Sequence, residues 1–308
     1  MSEVMVPDEH DRFDYSPIVD RPKLTWPDGA RIAVWLIPNF EHFHFNKPSA
    51  SLNPGLAALQ PDVLNYAWRD YGARVGVWRM IDIIQKHGFK GTVALNSDVC
   101  DRYPRIIDAI GALKWEIMGH GLNNSGLLTF LDEASERQAI EKTLATIEKA
   151  AGVRPRGWLS PALSESLITL DVLAESGIDY VADWTNDDQP YPIRVKSGRM
   201  HAIPYSLETN DYPAFLNMYQ SAEAFGRLLK DQFDLLYEDG AQTGRVMAIC
   251  LHPFLSGHPY RAKYLDDALK HIASRQDVVL ATGAEIIDWY IAHRARDWPY
   301  TSAETDYS

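Results

Sequence analysis

Short apolar runs alternate with amphipathic stretches along nearly the whole chain. Residues 31–38 (RIAVWLIP) are apolar almost without interruption, which predicts a strand buried on both faces. Residues 75–87 place apolar side chains at helical spacing and stop at Gly88, which predicts a helix. The alternation continues with strands predicted at 91–95, 115–118, 156–159 and 178–182, and helices at 103–113, 133–151 and 164–176. Ser164 is placed as the N-cap of the last of these helices, and Gly152 and Gly177 fall just past helix ends. Residues 193–195 and 201–203 predict a hairpin around Ser197 and Gly198. Ser221 predicts the cap of another helix, with Phe225, Leu228, Leu229 and Leu236 near one face. Strands at 245–251 and 278–281 and helices at 260–274 and 284–295 complete the pattern.

Strands alternating with helices imply parallel strands joined by right-handed crossovers. The expected fold class is therefore α/β: a (β/α) barrel of about seven parallel strands forming one domain over residues 1–308. An N-terminal arm covers residues 1–30, and residues 43–72 read as an irregular loop. Tyr66, Trp68, Arg69 and Tyr71 argue against disorder there and suggest an arm that covers the site, in this or a neighbouring subunit. A doubly wound open sheet is the alternative architecture. The chain lacks a glycine-rich phosphate loop, which weighs against a nucleotide-binding sheet.

Composition narrows the function. A length of 308 residues with 46% hydrophobic content can bury a sizeable core, and the net charge of −12 without basic runs speaks against nucleic acid and anionic membranes as partners. Cys100 and Cys250 both lie in apolar contexts, so a reducing compartment is the simpler expectation. The first residues are polar and acidic rather than signal-like, and no apolar run reaches the ~20 residues of a membrane span. A cytoplasmic location and a small-molecule substrate are expected.

The unusual polar residues fall after predicted strands, where barrels of this kind gather their active sites. Glu41 and His42 follow the first strand, Asn96 to Asp98 the second, His120 and Asn124 the third, Ser160 the fourth, Asp183 and Trp184 the fifth, and His252 the strand ending at Leu251. One carboxylate and three histidines at separate strand ends suit amide hydrolysis. That reaction needs a base for water, an acid for the leaving nitrogen, and donors near the carbonyl oxygen. Glu41 is the expected base, its pKa raised by apolar neighbours such as Phe40 and Phe43, and His252 the expected acid. His120, Asn124, Trp158, Asp183 and Trp184 are expected to contact substrate; the two tryptophans adjoin strand ends. No nucleophilic serine or reactive cysteine motif occurs.

These residues resemble the motifs of the polysaccharide deacetylase superfamily, and most of all its allantoinase-like branch. Asn39-Phe40-Glu41-His42 stands where that family has Thr-Phe-Asp-Asp. Residues 115–120 with Asn124 resemble the second motif, which ends in two histidines; residues 156–161 resemble the third and 251–253 the last. Residues 71–79, 204–211 and 251–259 resemble segments of the allantoinase branch. The resemblance implies a deacetylase-type distorted TIM-like barrel, a homo-oligomer, and hydrolysis of a non-peptide carbon–nitrogen bond, most simply in a small cyclic amide, imide or ureide. It also maps the family's metal ligands onto His42, His120 and Asn124, and Leu159 stands in place of an arginine that orients the base. Asparagine is a poor transition-metal ligand. No tightly bound cofactor is therefore expected, with weak zinc or nickel held by His42 and His120 as the alternative. A metal-dependent deacetylase of N-acetylated sugars and a non-catalytic relic of the fold are the competing functions.

Overall fold

The computed structural model describes residues 6–47 and 59–294. The apolar run after residue 31 forms β1 (Ile32–Phe40), and its alternation explains why the whole run is apolar. Ala33, Trp35 and Ile37 belong to one buried cluster, while Ile32, Val34 and Leu36 belong to a second that includes the surrounding helices. Both faces of the strand are dry, as expected for a parallel sheet covered by helices.

Further strands follow as β2 (Thr92–Leu95), β3 (Glu116–Gly119), β4 (Gly157–Trp158), β5 (Tyr180–Val181), β6 (Tyr191–Ile193), β7 (Met200–Ala202), β8 (Arg245–Leu251) and β9 (Val278–Leu280). Their order is β6-β7-β5-β4-β3-β2-β1-β8, with β9 beside the start of β1. Among the described residues only the β6–β7 pair is antiparallel. The curled, mostly parallel sheet makes a half-barrel, in keeping with the distorted TIM-like barrel the sequence implies. Between β7 and β8 the ladder is replaced by loop contacts: the Cys250 N–H donates to the Thr209 carbonyl at 3.1 Å, and the Thr209 hydroxyl to the Ala248 carbonyl at 2.6 Å. From the N-terminal arm, Trp26 is 2% exposed and its indole N–H donates to the Arg245 carbonyl at 2.8 Å.

The helices are α1 (Val63–Tyr71), α2 (Val77–Lys86), α3 (Asp98–Arg102), α4 (Pro104–Leu113), α5 (Glu133–Ala151), α6 (Thr169–Glu175), α7 (Asp211–Leu216), α8 (Ala222–Asp239), α9 (Pro259–Ala273) and α10 (Gly283–His293). Ser221 caps α8 through the Ala224 N–H at 3.1 Å, and Gly152 ends α5 with a φ of 74°, both as expected. Ser164 does not cap a helix. Ala162 and Leu163 take left-handed backbone in a turn at 161–163, so α6 begins only at Thr169.

The larger correction concerns residues 43–72, of which 48–58 lie outside the described residues. Their last part is helical. Asp62 caps α1 through the Asn65 N–H at 3.2 Å, and a π-helical turn over Gly72–Gly76 joins α1 to α2. The glycines permit this join to touch the loop after β8: a Cβ on Gly76 would lie 2.1 Å from the Pro253 carbonyl oxygen, and one on Gly72 2.8 Å from the Phe254 nitrogen. That close approach brings α1 to the mouth of the half-barrel. The N-terminal residues 1–5 and the final residue of the helix expected at 284–295 also lie outside the described residues.

Candidate active site

Three strand ends meet around one carboxylate. Glu41 leaves the end of β1 with its side chain 5% exposed. Its Oε1 lies 3.3 Å from His120 Nε2, after β3, and 3.7 Å from His252 Nε2, after β8. The Asn124 amide donates to the same oxygen. Glu41 Oε2 is buried and has no hydrogen-bond partner. A bare buried carboxylate oxygen is costly to keep, and in a cavity it is a place for water or substrate.

The two histidines are oriented from behind. His120 Nδ1 is 2.6 Å from the Leu159 carbonyl, an acceptor only, so Nδ1 carries the proton and Nε2 faces Glu41. His252 Nδ1 is 2.7 Å from Asp211 Oδ1. Asp211 is fully buried and also accepts from the Ser256 hydroxyl at 2.6 Å and the His252 N–H at 2.9 Å. Its carboxylate therefore fixes the imidazole and favours a proton on it.

The resulting protonation differs from the sequence-based expectation for Glu41. Burial alone would raise its pKa, as proposed from Phe40 and Phe43. The charge on His252, the His120 hydrogen bond and the nearby Arg69 outweigh burial and hold Glu41 below its ordinary value. For His252, burial lowers the pKa, but the charges of Glu41 and Asp211 and the Asp211 hydrogen bond raise it above the ordinary value. Both shifts favour the charged forms, a carboxylate beside an imidazolium: a group able to take a proton next to one able to give it.

Glu41, His120, Asn124 and His252 line a cavity of about 640 Å³. Arg69, on α1, and Tyr212, on α7, line it too. The Arg69 guanidinium lies 3.7 Å above the Phe43 ring. Arg69, Tyr212 and Asp211 were not singled out as site residues from the sequence. Arg69 was hidden in a stretch read as irregular, although Asp62 after a proline is a helix-start signal. Asp211 was visible only as part of a resembling segment.

The other expected contacts fall elsewhere. Trp158 is wholly buried beneath Gly119, with its indole N–H on Ser160 Oγ at 3.0 Å, so it is a core residue rather than a substrate platform. Trp184 is covered by the arm, its ring 5.1 Å from Phe13, and its N–H reaches Glu165 at 3.2 Å. Asp183 Oδ1 accepts from the Ser160 N–H at 2.6 Å. Neither Trp184 nor Asp183 lines the cavity that holds Glu41. Burial raises the pKa of both Asp183 and Glu165; the neighbouring carboxylate adds to the rise at Glu165, while hydrogen bonds from Ser160 and Glu165 oppose it at Asp183.

His42 and His120 do not come together as a ligand pair. The His42 ring lies beside Tyr103 and His44, with centroids 5.8 and 5.6 Å away, while His120 is committed to Glu41 and the Leu159 carbonyl. The reason is the turn after β1. The Asn96 side chain accepts the His42 N–H at 2.9 Å, and the His42 carbonyl accepts from the Asn124 N–H at 3.0 Å, so His42 belongs to the layer of the β2 and β3 loops. With the Asn124 amide also spent on Glu41, the residues at the family's metal positions do not fit a metal at that place. Among the described residues, His42, His44 and Asp98 form a group of potential ligands, with donor atoms all within 4.8 Å of one another. Burial, ahead of the nearby Arg102, lowers His42 to about 4, and His44 Nε2 already pairs with Asp98 at 3.1 Å.

A curled, mostly parallel half-barrel with a buried carboxyl group and two histidines at the carboxyl ends of its strands places the chain in the deacetylase fold class. The family model for polysaccharide deacetylase matches residues 66–181. Similar proteins include ones described as polysaccharide deacetylases and one described as an allantoinase. A Schizosaccharomyces pombe protein carrying a polysaccharide deacetylase description is 27% identical over 305 residues, spanning 87% of this chain and 93% of its own. A probable polysaccharide deacetylase from Pseudomonas aeruginosa PAO1 superposes with a TM-score of 0.82 at 28% identity, covering 89% of this chain and 95% of that one. The structure of Puue allantoinase is similar at a TM-score of 0.83 and 27% identity, covering 96% of this chain and all of the other. No helix among the described residues is long and apolar enough to cross a membrane.

Proposed function

We propose that the chain hydrolyses a carbon–nitrogen bond in a small cyclic amide, imide or ureide, with Glu41 as general base and His252 as general acid. The observation that carries this reading is the buried Glu41 carboxyl group, one oxygen unpartnered, beside a His252 imidazole held by Asp211. Glu41 takes a proton from water, whose oxygen adds to the ring carbonyl. Arg69 and Tyr212 supply donors for the oxygen that becomes negative. His252 then gives its proton to the ring nitrogen as the C–N bond breaks, leaving a ring-opened acid. Cyclic imide and ureide carbonyls are more electrophilic than an acetamide, so this sequence of steps runs on the chain's own residues. The similarity to an allantoinase over nearly the full chain supports the same reading.

The proposal includes a cytoplasmic, homo-oligomeric enzyme without a tightly held metal. Its test is a panel of cyclic imides and ureides, with N-acetylated oligosaccharides as counter-substrates, each with and without chelator. Ring opening that survives chelation is the expected result. Sugar deacetylation that chelation abolishes and zinc restores would overturn it and turn attention to His42, His44 and Asp98.

A further inference from the structure

The cavity that holds Glu41 is lined by both polar and apolar side chains. Its polar lining includes Glu41, His120, Asn124, Arg69 and His252. Its apolar lining includes Leu127, Phe130, Leu163, Leu207 and Pro213. Phe130 is 82% exposed and Leu207 42% exposed, although both border this cavity. The backbone is also strained where Ala162 and Leu163 join that lining. Ala162 and Leu163 hold φ values of 56° and 53°, a conformation unusual for residues other than glycine. The turn is pinned by the Leu163 N–H on the Ser160 carbonyl and the Ser164 hydroxyl on the Pro161 carbonyl, both at 2.8 Å. Strain of this sort persists where the surroundings impose it, commonly beside a ligand site.

We infer that the substrate ring carries an apolar substituent, seated against Leu127, Leu163 and Leu207 while the ring lies against the Glu41–His252 pair. The ring's chemistry rests on the hydrolase reading above; the substituent's place rests on the composition of the lining. A volume of about 640 Å³ is in the range of sites for drug-sized ligands, so a small ring beside Glu41 leaves room for a further group against the apolar lining. A small polar ureide would leave those leucines wet. An N-acetyl sugar would set hydroxyls against them without partners, which is unfavourable.

The test compares binding and turnover in matched pairs. Calorimetry measures pyrrolidinone against its benzyl-substituted form, which serve as unreactive ring analogues, and kinetics measures hydantoin against benzylhydantoin. The benzyl lactam should bind about tenfold tighter or more, and benzylhydantoin should show the higher kcat/KM by a similar factor. In Leu127→Asp and Leu207→Asp, both ratios should fall toward one. Equal binding of the two lactams, or a preference that persists in both variants, overturns the inference. A lactam preference that collapses in the variants, without hydrolysis of either hydantoin, sustains the apolar subsite and counts against the hydrolase reading instead.

Discussion

Two histidine–carboxylate groups lie on neighbouring loops at the same end of the half-barrel. In one, Glu41, His252 and Asp211 are 5%, 7% and 0% exposed at the side chain. In the other, His44 and Asp98 are each 29% exposed, next to a buried His42. Both contain ion pairs of ordinary length, but the surroundings give them different chemistry. The buried group is dry enough for charges to shift one another's protonation, and it keeps one Glu41 oxygen without a hydrogen bond on a residue that lines the cavity. The half-exposed group is screened by solvent, and its Asp98 oxygen is shared by His44 at 3.1 Å and Asn123 at 3.0 Å. Chemistry is expected from the first group, and at most an added ion from the second.

The largest effect that would sharpen this contrast belongs to Glu41→Gln. The amide keeps the shape but cannot take a proton, so kcat should fall by ~10²-fold or more with the far-ultraviolet spectrum unchanged. Wild-type-like turnover would place the base elsewhere. The next effect comes from the contact that brings Arg69 to the site. Gly76→Ala must displace α1 or the 253–257 loop, because its methyl meets the Pro253 carbonyl. A loss of roughly 1–3 kcal/mol in urea denaturation is expected, accompanied by a raised KM. Unchanged stability and KM would mean that the join is looser than its geometry indicates. The smallest effect is expected in the second group. His44→Ala and Asp98→Ala should change turnover by about threefold or less, since a pair this exposed contributes under about 1 kcal/mol. A hundredfold loss, rescued by added zinc in the wild type only, would reverse the roles of the two groups.

The sequence made the strand ends legible because parallel strands buried on both faces read as apolar runs, and polar residues after them stand out. Glu41, His120, Asn124 and His252 were found this way and share one cavity. Trp158 and Trp184 show the limit of the same argument. A tryptophan beside a strand end has two directions to point, and only packing under Gly119 or against Phe13 decides which. Arg69 and Asp211 were missed for a different reason. Each acts on Glu41 or His252 across a large sequence separation, and the contact depends on backbone approach at Gly72 and Gly76 or on the turn before α7. The Glu41 pKa was misjudged because its apolar sequence neighbours were visible and its charged spatial neighbours were not. His42 was assigned by motif position, while its direction is set by Asn96 and Asn124.

The claim at the centre of this account is that Glu41 works as a carboxylate while His252 works as an imidazolium raised by Asp211. Activity should then fall on the acid side as Glu41 gains a proton, below the ordinary carboxylate value. It should fall on the alkaline side as His252 loses one, above the ordinary histidine value. Asp211→Asn removes one of the negative charges that raise His252, so its proton is lost at lower pH. The deciding measurement is the pH profile of kcat/KM for wild type and Asp211→Asn on one cyclic substrate. The account predicts a bell whose alkaline limb moves to lower pH in the variant while the acid limb stays in place. An alkaline limb unmoved by the substitution would contradict it.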